Sequence, residues 1–304
     1  MSDLIGVTCY LVDADGTLWY TNPIILALRR FAGVVCQFLR ERGRKDFDVQ
    51  EVSRELVSLQ NRALAKREFI KAYDWDCLVY EYLTGELKLS SDDAKKLLAE
   101  LDKYVEEESY NVTLLSGVRE VLAELKENNG KIIVLSNGFY KYIYLPLKAT
   151  GLIKYVDDII TPDVILKDAY FHSWVYPIKP YRSMFVYAMI RGACKRFVMI
   201  GDSAADVIGA LRSGASRVYL IVEKAIKDYR LDVNVVSEAK RLTGKDLLEV
   251  LRMLSEDLSL YNTPETVDAD GIICPDIGLK KSIAEVIMVR TWRNILECEM
   301  TGTC

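Results

Sequence analysis

The chain has 304 residues, half of them hydrophobic, enough to bury one large core or one core with a smaller companion. Its 44 acidic and 40 basic residues give a formal net charge of -4, which excludes a global basic field for nucleic acid or an acidic membrane and points to small partners. No segment approaches the roughly 18 apolar residues that span a bilayer, and the start MSDLIGVTCY lacks the basic opening and apolar run of a signal peptide, so the expected location is cytoplasmic.

In chain order, apolar runs ending in polar or glycine-containing turns occur at residues 7–12, 131–135, 155–160, 196–200 and 217–222, and each predicts a buried strand. Helical patterns lie between them: 118–128 closed by Gly130, 184–191 closed by Gly192, and 204–212 before Gly214. Strands alternating with helices predict a doubly wound α/β fold with a parallel sheet and right-handed crossovers. Residues 23–110 break the alternation. They carry helical periodicity throughout, with Phe31, Val34, Val35, Phe38 and Leu39 on one face, then Leu56, Leu59, Leu64, Leu97, Leu98 and Leu101.

The expected organisation is therefore a catalytic core at 1–20 and 111–254, an inserted helical domain at 21–110, and a C-terminal extension at 255–304. In that extension Asn262, Thr263 and Pro264 interrupt the helix at 247–254, and 283–296 predicts an amphipathic helix. A sixth strand is expected either at 233–236 or at Ile272-Ile273. The seven cysteines, Cys9, Cys36, Cys77, Cys194, Cys274, Cys298 and Cys304, contain no CxxC pair and are odd in number, so reduced thiols are expected. Scarce glutamine and plentiful Lys, Arg and Glu suggest heat adaptation, where intracellular disulfides are an exception.

Open parallel sheets collect ligands at the carboxyl ends of their strands. Four such places carry reactive residues: Asp13-Ala14-Asp15-Gly16-Thr17-Leu18, Ser136-Asn137-Gly138, Lys179-Pro180, and Gly201-Asp202-Ser203-Ala204-Ala205-Asp206. Asp13 and Asp15 can share one pocket if the backbone turns immediately after the strand, which Gly16 permits. One carboxylate can then attack phosphorus while the other protonates a leaving oxygen and later activates water. Ser136 and the amides near Asn137 can hold phosphate oxygens, Lys179 supplies a point charge, and Asp202 offers a hard oxygen to a cation. Asp206 could ligate through water or orient its neighbours.

These four segments, in this order over roughly residues 4–254, resemble the four motifs of the haloacid dehalogenase superfamily, and closely its phosphoglycolate-phosphatase-like phosphatases. The resemblance implies a Rossmann-like sheet, a helical cap inserted after the first motif, an aspartyl-phosphate intermediate and bound Mg2+. It implies Asp13 as nucleophile and Asp15 as general acid and base. Thr17, Ser136, Asn137 and Lys179 would bind phosphate, and Asp13, Asp15, Asp202 and Asp206 would form the metal site. Dehalogenase relatives lack an Asp at the position of Asp15, because a halide leaves without a proton. The implied substrate is a small phosphorylated metabolite, since a closing cap excludes water and large molecules.

A phosphomutase would use the same residues and differ only in the fate of the phosphoryl group. An interaction protein docking through its C-terminal extension is a further alternative, with Ile283, Val286, Ile287, Val289, Arg290, Trp292 and Arg293 covering either a partner or the protein's own core. The pentapeptide VDADG recurs at 267–271 without a preceding apolar strand and reads as a decoy turn. His172, the single histidine, lies in the aromatic run 170–176, which reads as packed cover; one histidine argues against a histidine metal cluster or a Ser-His-Asp hydrolase. Tyr73 and Trp75 suit either a leaving-group contact or the core of the inserted domain.

Overall fold

The computed structural model describes residues 7–44, 46–168, 176–228, 239–254 and 285–301. His172, the second VDADG, and the candidate strands at 233–236 and 272–273 lie outside the described residues. The chain divides into two compact units, one of Met1–Tyr20, Thr113–Tyr140 and Leu152–Cys304, the other of Thr21–Val112 and Lys141–Gly151.

The first unit is built on strands β1 (Thr8–Val12), β2 (Lys131–Leu135), β3 (Asp158–Ile160), β4 (Arg196–Gly201), β5 (Arg217–Ile221), β6 (Lys240–Leu242) and β7 (Glu285–Val289). Their order is β3-β2-β1-β4-β5-β7-β6. All neighbours are parallel except β6 with β7. Beginning at β1, the chain winds outward to β2 and β3, then returns to add β4 and β5 on the other side. The reversal of direction between β1 and β4 is the place where a doubly wound sheet opens a ligand crevice. Strands β1, β2 and β5 are buried at four of five positions, as continuous apolar runs covered on both faces require. The helices of this unit include α5 (Val118–Glu127), α7 (Pro162–Lys167), α8 (Arg182–Gly192), α9 (Ala204–Arg212), α10 (Glu223–Lys227) and α11 (Gly244–Leu254). The expected strand at 155–160 is shorter than its apolar run, because Leu152–Tyr155 forms a 3-10 turn and only Asp158–Ile160 pairs with β2.

The predicted helix at 283–296 is corrected. Its first half is β7, inserted between β5 and β6, and its second half is a separate helix, α12 (Trp292–Thr301). Val286, Ile287, Met288 and Val289 form an unbroken apolar run rich in β-branched residues, too short for periodicity alone to separate a buried strand from a buried helix turn. The break is made at Thr291, whose N–H and hydroxyl both donate to Asn294 Oδ1, at 3.1 and 3.3 Å. Val286, Ile287, Val289 and Trp292 are buried in the protein's own core, the second of the two placements expected for these positions, while Ile283 lies outside the described residues. The expectation of reduced thiols is corrected as well. Cys9 and Cys194 form a disulfide, brought together because β1 and β4 start side by side, and Cys298 is also disulfide-bonded.

The second unit is helical among its described residues. Helix α1 (Pro23–Glu41) packs on α2 (Val49–Ala65) and α4 (Ser91–Ser109), with α3 (Trp75–Glu81) against α2 and α4. Each start is capped by a side-chain oxygen: Asn22 takes the N–H of Ile24, Asp48 that of Glu51, Asp74 that of Cys77 and Ser90 that of Asp93. Phe31, Val35, Leu39, Leu56, Leu59, Leu97 and Leu101 are buried, as is Trp75. The unit also takes Lys141–Gly151, most of helix α6 (Tyr140–Ala149). Lys141 pairs with Asp76 and Asp102, and the Tyr142 hydroxyl donates to Asp76 at 2.8 Å, tying that helix to α3 and α4.

Candidate functional site

The Asp13 loop leaves β1 at the reversal between β1 and β4, its first N–H still held by the Ile200 carbonyl of β4 at 2.9 Å. It then turns at once. The N–H groups of Thr17 and Leu18 both donate to the Ala14 carbonyl, and Gly16 N–H donates to the Trp19 carbonyl at 2.8 Å. Gly16 meets two demands: its φ is +84°, and a Cβ there would lie 2.0 Å from Asp202 Oδ2. The turn thus brings the β1 and β4 loops into contact, which extended chains could not achieve.

Asp13 is buried, and Lys179 Nζ donates to its Oδ1 while Thr17 Oγ1 donates to Oδ2 at 3.2 Å. Lys179, only 5% exposed, donates also to Asp206 Oδ1 at 2.6 Å. The other Asp206 oxygen, Oδ2, accepts the Ser203 N–H and hydroxyl at 3.1 and 2.6 Å, closing a capping box at the start of α9. Asp206 is fully buried, and its two oxygens engage Lys179 and Ser203. Asn137 does similar work from β2: its Oδ1 accepts the Lys179 N–H at 2.7 Å and its Nδ2 donates to the Lys179 carbonyl at 3.2 Å. Its side chain is therefore committed to the lysine backbone. Ser136 is buried at the end of β2, and its Oγ accepts the Gly138 N–H at 3.1 Å.

Asp13, Asp202 and Asp206 bring carboxylate oxygens within 4.8 Å of one another. Lys179 pairs with two of these carboxylates, Asp13 and Asp206, and among the described residues no ion pair joins Asp202, so negative charge is in excess where desolvation is costly. Hard oxygen donors with uncompensated charge fit a divalent cation. Burial pushes the Asp13 carboxyl up to about 7, against the pull of Lys179 and with the help of Asp206. Burial likewise raises Asp202 well above the carboxylate range, reinforced by Asp13 and Asp206. Against its own desolvation, the Lys179 ammonium is held charged by these same two carboxylates, its pKa above the usual lysine value.

A pH dependence follows. With Asp13 raised above its ordinary value of 3.8, the folded state binds more protons than the unfolded state between about pH 4 and about pH 7, so metal-free stability falls as pH rises across that window. Chelator-treated protein is expected to melt at lower temperature at about pH 7.5 than at about pH 5, and Asp13→Asn to flatten the difference. A native midpoint equal or higher at the alkaline pH contradicts this account.

Asp15 also bears on the cluster, its charge adding to the rise of the Asp13 pKa. Its Oδ1 accepts the indole N–H of buried Trp19 at 2.6 Å, four residues along the same loop. Sequence reasoning passed over Trp19, although an indole beside an acidic motif is a donor-only group seeking an acceptor. The structure thus gathers Asp13, Thr17, Lys179, Asp202 and Asp206 through direct contacts, and Asn137 through the Lys179 backbone.

The family model for haloacid dehalogenase-like hydrolase matches residues 7–214. The chain belongs to this family. Among solved structures, a HAD phosphatase from Thermococcus onnurineus is 24% identical, with 71% of this chain and 87% of that one covered and a TM-score of 0.52. The L-2-haloacid dehalogenase from Xanthobacter autotrophicus with chloropropionic acid covalently bound is 16% identical, covering 98% and 100%, with a TM-score of 0.53. The 2-haloacid dehalogenase from Pseudomonas syringae pv. Tomato DC3000 is 19% identical, covering 72% and 87%, with a TM-score of 0.51. Comparison with curated proteins found no match. At these identities the structural likenesses establish the fold, a mostly parallel α/β sheet shared by phosphatases and dehalogenases of one hydrolase family.

Proposed function

We propose that this hydrolase is a magnesium-dependent phosphatase acting on a small phosphorylated metabolite through an aspartyl-phosphate intermediate. The observation that carries the reading is Asp15, an acid two residues beyond Asp13 with its carboxylate anchored by Trp19. A halide needs no proton to leave, whereas an alkoxide does, so a second acid at this place suits phosphate esters. In the same reading the helical unit is the cap, and selection among metabolites is its task.

Asp13 attacks phosphorus and the ester oxygen departs with a proton from Asp15. Asp15, now a carboxylate, then takes a proton from water as that water attacks the acyl phosphate, so that phosphate leaves, Asp13 is freed as a carboxylate and Asp15 is restored as the acid. Lys179 neutralises charge beside Asp13, and the Ser136 hydroxyl and the main-chain N–H groups after β2 are assigned to the phosphoryl oxygens. Asp13 and Asp202, with the Asp15 carbonyl, would hold the cation, whose chemistry is to withdraw charge from the phosphoryl group.

The test is release of inorganic phosphate from an aryl phosphate, with magnesium or with chelator, for native protein and Asp15→Asn. Magnesium-dependent turnover is expected, and the substitution should slow formation and breakdown of the intermediate by roughly 10²–10⁴-fold with the fold intact. Near-native turnover by Asp15→Asn would remove the proposed acid and base. No release from the aryl ester or from a panel of phosphorylated metabolites would sink the phosphatase reading itself.

A further inference from the structure

The C-terminal segment reaches the Asp13 loop from the far end of the chain. Strand β7 delivers α12, whose first residue, Trp292, is fully buried and donates its indole N–H to the Thr17 carbonyl at 2.7 Å. That carbonyl belongs to the residue whose hydroxyl donates to Asp13 Oδ2 at 3.2 Å and lies 3.5 Å from Asp202 Oδ1. A carbonyl of a tight turn buried under a tryptophan has no water to turn to, so the indole is what fixes the peptide plane.

The start of α12 is itself held in place. Gly117, at φ +83°, leaves room that a Cβ would not: such an atom would lie 2.8 Å from Arg293 Cγ and 3.6 Å from Trp292 Cβ. At the other end of the helix, Glu299 accepts the hydroxyls of Tyr10 and Tyr219 at 3.0 and 2.6 Å and pairs with Arg217 at 2.9 Å, fastening α12 to β1 and β5. A helix anchored at both ends, with one donor aimed at one loop carbonyl, does more than fill space.

We propose that Trp292 is a positioning residue for phosphoryl transfer: its indole N–H holds the Thr17 peptide so that the Thr17 hydroxyl keeps Asp13 in register with Asp202. The assignment rests on reading Asp13 as the nucleophile. It gives the C-terminal extension a task inside the site that its motifs do not disclose. Misplacement of a nucleophile by a fraction of an ångström lowers turnover while leaving substrate affinity little changed, because affinity resides in contacts this indole does not make.

The experiment compares full-length Trp292→Phe, which keeps a ring and removes the N–H, with Ile295→Val, which trims a buried neighbour on the same helix. Hydrogen exchange of the peptide covering residues 13–20 is read beside kcat and KM for an aryl phosphate with magnesium. Trp292→Phe is expected to speed exchange in that peptide by about tenfold and lower kcat by roughly 10- to 100-fold, with KM within about twofold. Ile295→Val is expected to change neither. Unchanged loop exchange in Trp292→Phe overturns the proposal, as does equal loosening in Ile295→Val, which would make the effect one of packing. If native protein releases no phosphate, the phosphatase reading fails, while loop exchange still decides whether Trp292 holds the loop.

Discussion

Asp13→Asn is expected to abolish phosphate release, by at least about 10³-fold, while raising the thermal midpoint of the metal-free protein near neutral pH. The two effects share one cause. Asp13 is buried among Asp202 and Asp206 with Lys179 as its ion-pair partner among the described residues, and its raised pKa expresses the cost of ionising there. An amide keeps the shape, can still accept from Lys179 through its oxygen while its NH2 donates to a Thr17 hydroxyl that has turned, and removes one unit of excess charge. It cannot attack phosphorus. The gain should vanish at about pH 5, where the native carboxyl is already protonated. Calorimetry in chelator at both pH values, beside the phosphate assay, checks this. A variant melting below native at neutral pH would mean that Asp13 is held by favourable pairing, and that the cluster is not short of positive charge.

This tension between function and stability also explains how much could be read from the chain. Strands β1, β2, β4 and β5 were legible because buried parallel strands are unbroken apolar runs, and the residues directly after them are where such a sheet can hold chemistry. Local turn chemistry made the Asp13 loop readable to the residue, Gly16 included. Contacts that close over long separations left no periodicity to find. Trp292 meets Thr17 across 275 residues, Asn137 meets Lys179 across 42, and Cys9 meets Cys194 across 185. The β7 error had a different origin: four consecutive apolar residues carry no period that separates strand from helix, and only a neighbouring strand decides between them.

Lys179→Met is expected to give the largest loss of stability in the core unit. Among the described residues Lys179 is the one ammonium paired with Asp13 and Asp206, and its carbon stem is buried with it. Methionine keeps most of the stem and removes the charge, leaving carboxylates without a partner. Breaking a buried pair from one side costs about 3–5 kcal/mol, more than the pair contributes when intact, since the remaining charge stays buried. In a chain of this size that lowers the metal-free midpoint by roughly 5–15 °C at neutral pH. Acid should recover part of the loss, because protonated Asp13 no longer needs a cation. The decisive measurement is the double-mutant cycle with Asp13→Asn. If the two groups act as one buried cluster, the double variant melts well above Lys179→Met alone, with a coupling of about 1–3 kcal/mol. Additive midpoints would mean that Lys179 answers chiefly to Asp206, and that it serves to fasten α9 more than to balance the nucleophile.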